Sequence, residues 1–165
     1  MRAAGLATGA TETPPTAALA LVVPALLLAL AVAGLGISSY LTYTHWAHAS
    51  VACGGLGSCN EVNNSKYAEV AGIPVAFLGA LAYLALIGSA LAWLWWRPSG
   101  LAWPVMFLWG LSLVGTLYSA YLTYVELFVL EAVCIYCVAS AGVILASLLI
   151  STGWIVREAQ AEEEM

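Results

Sequence analysis

Charge is missing from four long stretches of this chain, and that pattern limits what the chain can fold into more than any other feature. No Asp, Glu, Lys or Arg occurs between Glu12 and Glu61, Glu69 and Arg97, Arg97 and Glu126, or Glu131 and Arg157. A helix needs about 20 mainly apolar residues to cross a bilayer, so each gap has room for one span. We place the spans near 17–45, 73–96, 101–125 and 132–155. The expected fold class is an all-α membrane protein, a four-transmembrane-helix bundle. Only 8% of the 165 residues are charged, against about 25% in soluble domains. Nine acids against four bases leave no basic patch for nucleic acid.

The connections differ in length. "WRPSG" (96–100) and "VELFVLE" (125–131) are short, the first punctuated by Pro and Gly. The one long connection, 46–72, lies between the first two spans. In it Gly54, Gly55 and Gly57 predict a flexible stretch, and "NEVNNSKYAEVA" suits a short amphipathic surface helix. The chain thus divides into a disordered N-terminus (1–16), a four-helix domain (17–155, with loop 46–72) and an acidic tail (156–165).

Four spans put both termini on one side, with Arg2, Arg97 and Arg157, and leave only Lys66 on the other. The positive-inside rule then makes the termini cytoplasmic and the long loop extracytoplasmic. "LALAVAGLG" offers A-x-A cleavage sites, but Glu12 beside Arg2 and a long apolar run favour an uncleaved first helix. Trp93, Trp95 and Trp96 read as an aromatic belt on the inner side.

Under this topology all four cysteines share the outer side. Cys53 and Cys59 lie in the loop, and Cys134 and Cys137 form a C-x-x-C in the first turns of the fourth span. Disulfides persist in an oxidising outer compartment. Residues three apart on a helix share a face, and a helix N-terminus favours a thiolate. Glu131, just before the pair, opposes that effect. A flexible loop would let Cys59 reach Cys134 by thiol–disulfide exchange, and a thiol pair in a bilayer needs a lipid-soluble electron acceptor, for which quinone is the abundant choice. Two blander readings stand beside this one. The cysteines can form purely structural disulfides in a non-catalytic membrane scaffold. A four-cysteine zinc site is the other, for which C-x5-C fits loosely.

A repeat runs through the helices. "SSYLTYTHW" (38–46) and "SAYLTYVEL" (119–127) match at an offset of 81, which also carries Cys53 onto Cys134. The repeat predicts that the outer ends of the first and third spans are neighbours around a pocket. Convergence among interface aromatics would look the same. His45 and His48 sit at the outer end of the first span in an arrangement unsuited to haem ligation.

These residues together carry a resemblance. The loop pair C-x5-C, "NNSKYAEVAGIPVAFLGALAYLA", "SAYLTY" and a C-x-x-C on the last of four helices, about 37–142, resemble the vitamin K epoxide reductase family, in its bacterial branch. The resemblance implies a thiol:quinone oxidoreductase of the inner (cytoplasmic) membrane that generates disulfides. Cys137 would reduce the quinone (menaquinone or ubiquinone), Cys134 would exchange with Cys59, and Cys53 would trade its disulfide with a thioredoxin-like protein. Ser65, Leu78 and Leu122 match quinone-pocket positions. Many bacterial relatives carry a fused thioredoxin domain; none occurs in these 165 residues, so the partner is expected to be separate. Animal members have a Tyr and an Asn where this chain has Ala141 and, approximately, Val75. That departure weighs against the alternative activity, reduction of a quinone epoxide.

Overall fold

The computed structural model describes residues 15–53, 57–96 and 103–163. Four long helices dominate: α1 (Pro15–Trp46), α3 (Val75–Trp96), α4 (Trp103–Phe128) and α5 (Ile135–Glu163). The long connection carries a one-turn helix, α2 (Cys59–Asn63), and a two-stranded ribbon, β1 (Glu69–Val70) and β2 (Ile73–Pro74). Each long helix contains a segment of sufficient length and apolarity to cross a bilayer. The chain is therefore a multi-pass membrane protein. Side chains such as Leu21, Val32, Leu84, Leu91, Leu117 and Leu149 point outward, as lipid-facing positions must.

In the ring of helices, α1 packs on α3 and α5, and α4 packs on the same two. The repeated ends of α1 and α4 therefore lie diagonally across the ring rather than side by side, as the repeat had predicted. Small residues permit the tightest contact. A Cβ at Gly34 of α1 would overlap the Tyr83 ring of α3, a close approach typical of helices that associate in lipid. One apolar core fills the end of the bundle away from the long connection: Leu27, Ala31, Tyr83, Leu86, Ala90, Trp93, Val105, Leu108 and Ile144. Trp93 belongs to this core, its ring 5.3 Å from that of Trp154. Only Trp95 of the expected belt is described as exposed; the side chain of Trp96, like residues 97–102, falls outside the description.

Two helices run further than their charge gaps suggested. Helix α4 continues past Glu126 to Phe128, because Glu126 is buried with partners rather than released to water. Helix α5 continues to Glu163, so the acidic segment extends the helix. Residues 1–14, with Arg2 and Glu12, and the hairpin with Arg97 lie outside the described residues.

Candidate functional site

The site begins with the way the long connection is fastened. Gly57 adopts φ +118°, a conformation that suits glycine, and a Cβ there would strike the Val133 carbonyl oxygen. This close approach lets the Ser58 N–H donate to that same oxygen at 3.0 Å. On the other side of the undescribed 54–56, the Tyr136 hydroxyl donates to the Ala52 carbonyl at 2.9 Å, and the Ala52 N–H donates to the Tyr40 hydroxyl at 3.0 Å. The Val51 N–H donates to Asn60 Oδ1 at 2.7 Å, closing the loop on itself.

His45 fixes the rest of the connection. Its Nδ1 lies 2.8 Å from the Asn63 carbonyl oxygen and its Nε2 lies 3.0 Å from Glu69 Oε1. Asn63 in turn reaches the Leu41 carbonyl and Thr44 Oγ1. Polar groups of "NEVNNSKYAEVA" are spent on these bonds. The amphipathic surface helix expected there is thus only the single turn of α2, followed by the β1–β2 ribbon.

Within this cover Cys53 and Cys59 form a disulfide, their Cα atoms 6.1 Å apart. Cys59 is 1% exposed. It belongs to a second apolar cluster with Leu41, Val51, Val62, Ala132 and Cys134, against which Cys53 and Cys137 also pack. The sequence suggested that a flexible loop brings Cys59 to Cys134; in the structure Cys59 is already buried in one cluster with Cys134. Gly54 and Gly55 lie outside the described residues.

Cys134 and Cys137 are free thiols. Cys134 precedes α5 and Cys137 sits in its first turn, so their spacing puts both sulfurs at the helix start. Cys134 is fully buried. The Cys137 side chain lies within hydrogen-bonding reach of its sulfur, as do the backbone N–H groups of Tyr136 and Cys137. The acid beside the pair is Glu126, not the exposed Glu131, which occupies a left-handed turn at φ 48°. Glu126 is 4% exposed, its Oε2 accepts the Cys134 N–H at 3.0 Å, and its carboxyl also reaches the Cys137 side chain. From the sequence Glu126 looked like a boundary charge closing a span. The available signal was its position eight residues before Cys134 and inside the repeat, at the place His45 holds in the first copy.

Cys137 opens on a cavity of about 360 Å³. Its walls come from all four long helices and the cover, and they are mainly apolar: Leu41, Val75, Leu78, Val114, Leu122 and Ile144 are among them. Ser65, Leu78 and Leu122, singled out from the sequence, all line it, as does Glu126. So do Ser38 and Ser119, the matching first serines of the two repeats. Tyr83 reaches across from α3 to Ser140 of α5, 3.0 Å from its carbonyl oxygen and 2.9 Å from its Oγ. Cys59 and Cys134 are not among the lining residues. The arrangement is therefore graded: a bridged pair in the cover, a buried thiol behind it, and a second thiol on an apolar chamber.

This chamber falls in the size range of small-molecule sites, about 300–1,000 Å³, and has their mainly apolar character. A model of the vitamin K epoxide reductase family matches residues 25–152, a range that holds both cysteine pairs and every residue named in the cavity wall. The chain belongs to that family of membrane oxidoreductases.

Proposed function

We propose that this protein is a thiol:quinone oxidoreductase of the inner (cytoplasmic) membrane that generates disulfide bonds. Electrons enter from a separate thioredoxin-like protein at Cys53, which is half-buried and so the more accessible of the loop pair. Cys59 then exchanges with Cys134, and Cys137 reduces quinone, the electron-accepting substrate, either menaquinone or ubiquinone. The termini face the cytoplasm and the cysteines the outer side, a reading supported by the distribution of arginines.

One observation carries the reading: Cys137 opens on the apolar cavity, while Cys134 is buried in one cluster with Cys59. Each thiol of the C-x-x-C thus has a separate surrounding, one on the side of the loop disulfide and one on the side of the apolar cavity. The chain's own contribution is to hold the thiols in order and exclude water. Ser65 and the Tyr83–Ser140 pair offer polar contacts for a head group, while Leu78 and Leu122 offer apolar ones. Val75 on the wall, where animal members have Asn, supports quinone reduction over epoxide reduction.

The test is anaerobic quinone reduction by purified protein with a reduced thioredoxin-like protein, comparing wild type with Cys137→Ala. We expect quinone reduction to vanish in the variant while a Cys59–Cys134 disulfide accumulates in mass spectra. Wild-type protein whose thiols cycle with the partner but reduce no quinone would sink the proposal in favour of structural disulfides or another acceptor.

A further inference from the structure

The relay leaves one buried charged group without a task. Among the acidic residues whose exposure is described, Glu126 alone is buried, and it lies against the cavity. An unpaired carboxylate in a bilayer is expensive, and where one occurs it usually handles protons or ions. No Lys or Arg pairs with it among the described residues. Its contacts are instead the Cys134 N–H and the Cys137 side chain.

We propose that Glu126 is a catalytic base: it takes the proton from Cys137 as that thiol gives up its electrons and passes it to the reduced quinone. The proposal rests on the quinone-linked reading above. In the reaction the two S–H bonds of Cys134 and Cys137 break, one S–S bond forms, and two electrons move to quinone. Two protons leave the thiols and the hydroquinone carries two. Glu126 starts and ends as a carboxylate, so it balances out.

Geometry favours Glu126 over the other candidates. The titratable groups lining the cavity are Tyr67 from the cover, Tyr83 from α3, Tyr118 and Glu126 from α4, and Cys137 from α5. Helix α1 contributes Ser38 and Leu41, neither of which titrates in the relevant range. Tyr83 already hydrogen-bonds Ser140. Of these groups Glu126 alone is both a carboxylate and in contact with the Cys137 side chain.

A capping role is the competing explanation, since a carboxylate at a helix start stabilises the helix whatever the chemistry. Glu126→Gln separates the two, because its amide oxygen still accepts the Cys134 N–H. For pre-reduced full-length protein in detergent with a short-chain quinone, we expect about a 100-fold fall in rate at neutral pH, the range of a lost general base. The deficit should narrow as pH rises, because hydroxide then removes the thiol proton. Glu126→Asp, with a carboxylate on a shorter arm, should keep the wild-type pH profile at a lower rate. A Glu126→Gln protein with wild-type rate and profile would leave only the cap and overturn the proposal.

A second readout needs no quinone. Infrared difference spectra between the dithiol and disulfide states, driven by a soluble dithiol and its oxidised form, should show a shifted carboxylate band that Glu126→Gln lacks, because oxidation removes the thiol proton in contact with the carboxylate. If wild type reduces no quinone yet shows the band, the quinone reading falls and the thiol–carboxyl proton contact stands. If wild type shows no band, the base role itself is overturned.

Discussion

Segments 38–46 of α1 and 119–127 of α4 begin alike and end differently. Each supplies a Ser and a Leu to the cavity wall, Ser38 and Leu41 from one and Ser119 and Leu122 from the other. The two helices face each other across the ring, so the repeat builds two opposing walls of one chamber. One turn further on, the copies part. His45 of the first turns to the cover and binds Asn63 and Glu69. Glu126 of the second, at the equivalent place, turns to Cys134 and Cys137. A shared framework sets the position of a polar group, and the residue type decides whether it fastens the cover or serves the thiols.

The sharpest way to break this comparison is to truncate both polar ends. Glu126→Ala should lower quinone reduction by pre-reduced protein about 100-fold or more, whereas His45→Ala should leave the same step within about threefold. Equal losses would mean the two ends share one structural role. The next effect is on the cover. His45→Ala removes two hydrogen bonds worth roughly 1 kcal/mol each, so amide exchange across 59–70 should accelerate about 10- to 30-fold, with little change near Cys134.

The shared part of the repeat is probed by filling the chamber from either side. Leu41→Trp and Leu122→Trp should each raise the quinone KM by about tenfold, from the crowding of a packed apolar site, while Cys59–Cys134 exchange continues. A strong effect from only one side would show that the walls are not equivalent. The smallest effect is expected at Thr42, whose hydroxyl donates to the Ser38 carbonyl of its own helix at 2.7 Å. Thr42→Val should shift thermal stability in detergent by less than about 1 kcal/mol, since such local bonds contribute little to helix stability.

The helical spans were legible because a bilayer leaves few options for long charge-free segments, and the grouping of the cysteines into a loop pair and a helix-start pair follows directly from their spacing. Ser65, Leu78 and Leu122 came from motif resemblance, and the cavity collects all three. Other features depended on partners distant in the chain. Glu126 reads as a span's edge until the backbone of Cys134 is known to satisfy it. Gly57 reads as part of a mobile stretch until it is seen against Val133. Trp93 reads as a belt residue until Trp154 is found against it. The diagonal placement of α1 and α4 follows from helix packing, which a repeat alone does not fix.

The Ser58–Val133 hydrogen bond has a kinetic consequence. It joins the residue before Cys59 to the residue before Cys134, so the two cysteines are delivered to each other by the backbone. Their meeting is first-order, with an effective concentration set by the fold rather than by how much protein is present. On the proposed relay, the encounters that remain bimolecular are those with the thioredoxin-like protein at Cys53 and with quinone at the cavity. At saturating quinone, turnover should therefore rise with the concentration of the thioredoxin-like protein until that encounter ceases to limit it, and dilution of the enzyme itself should leave turnover per molecule unchanged.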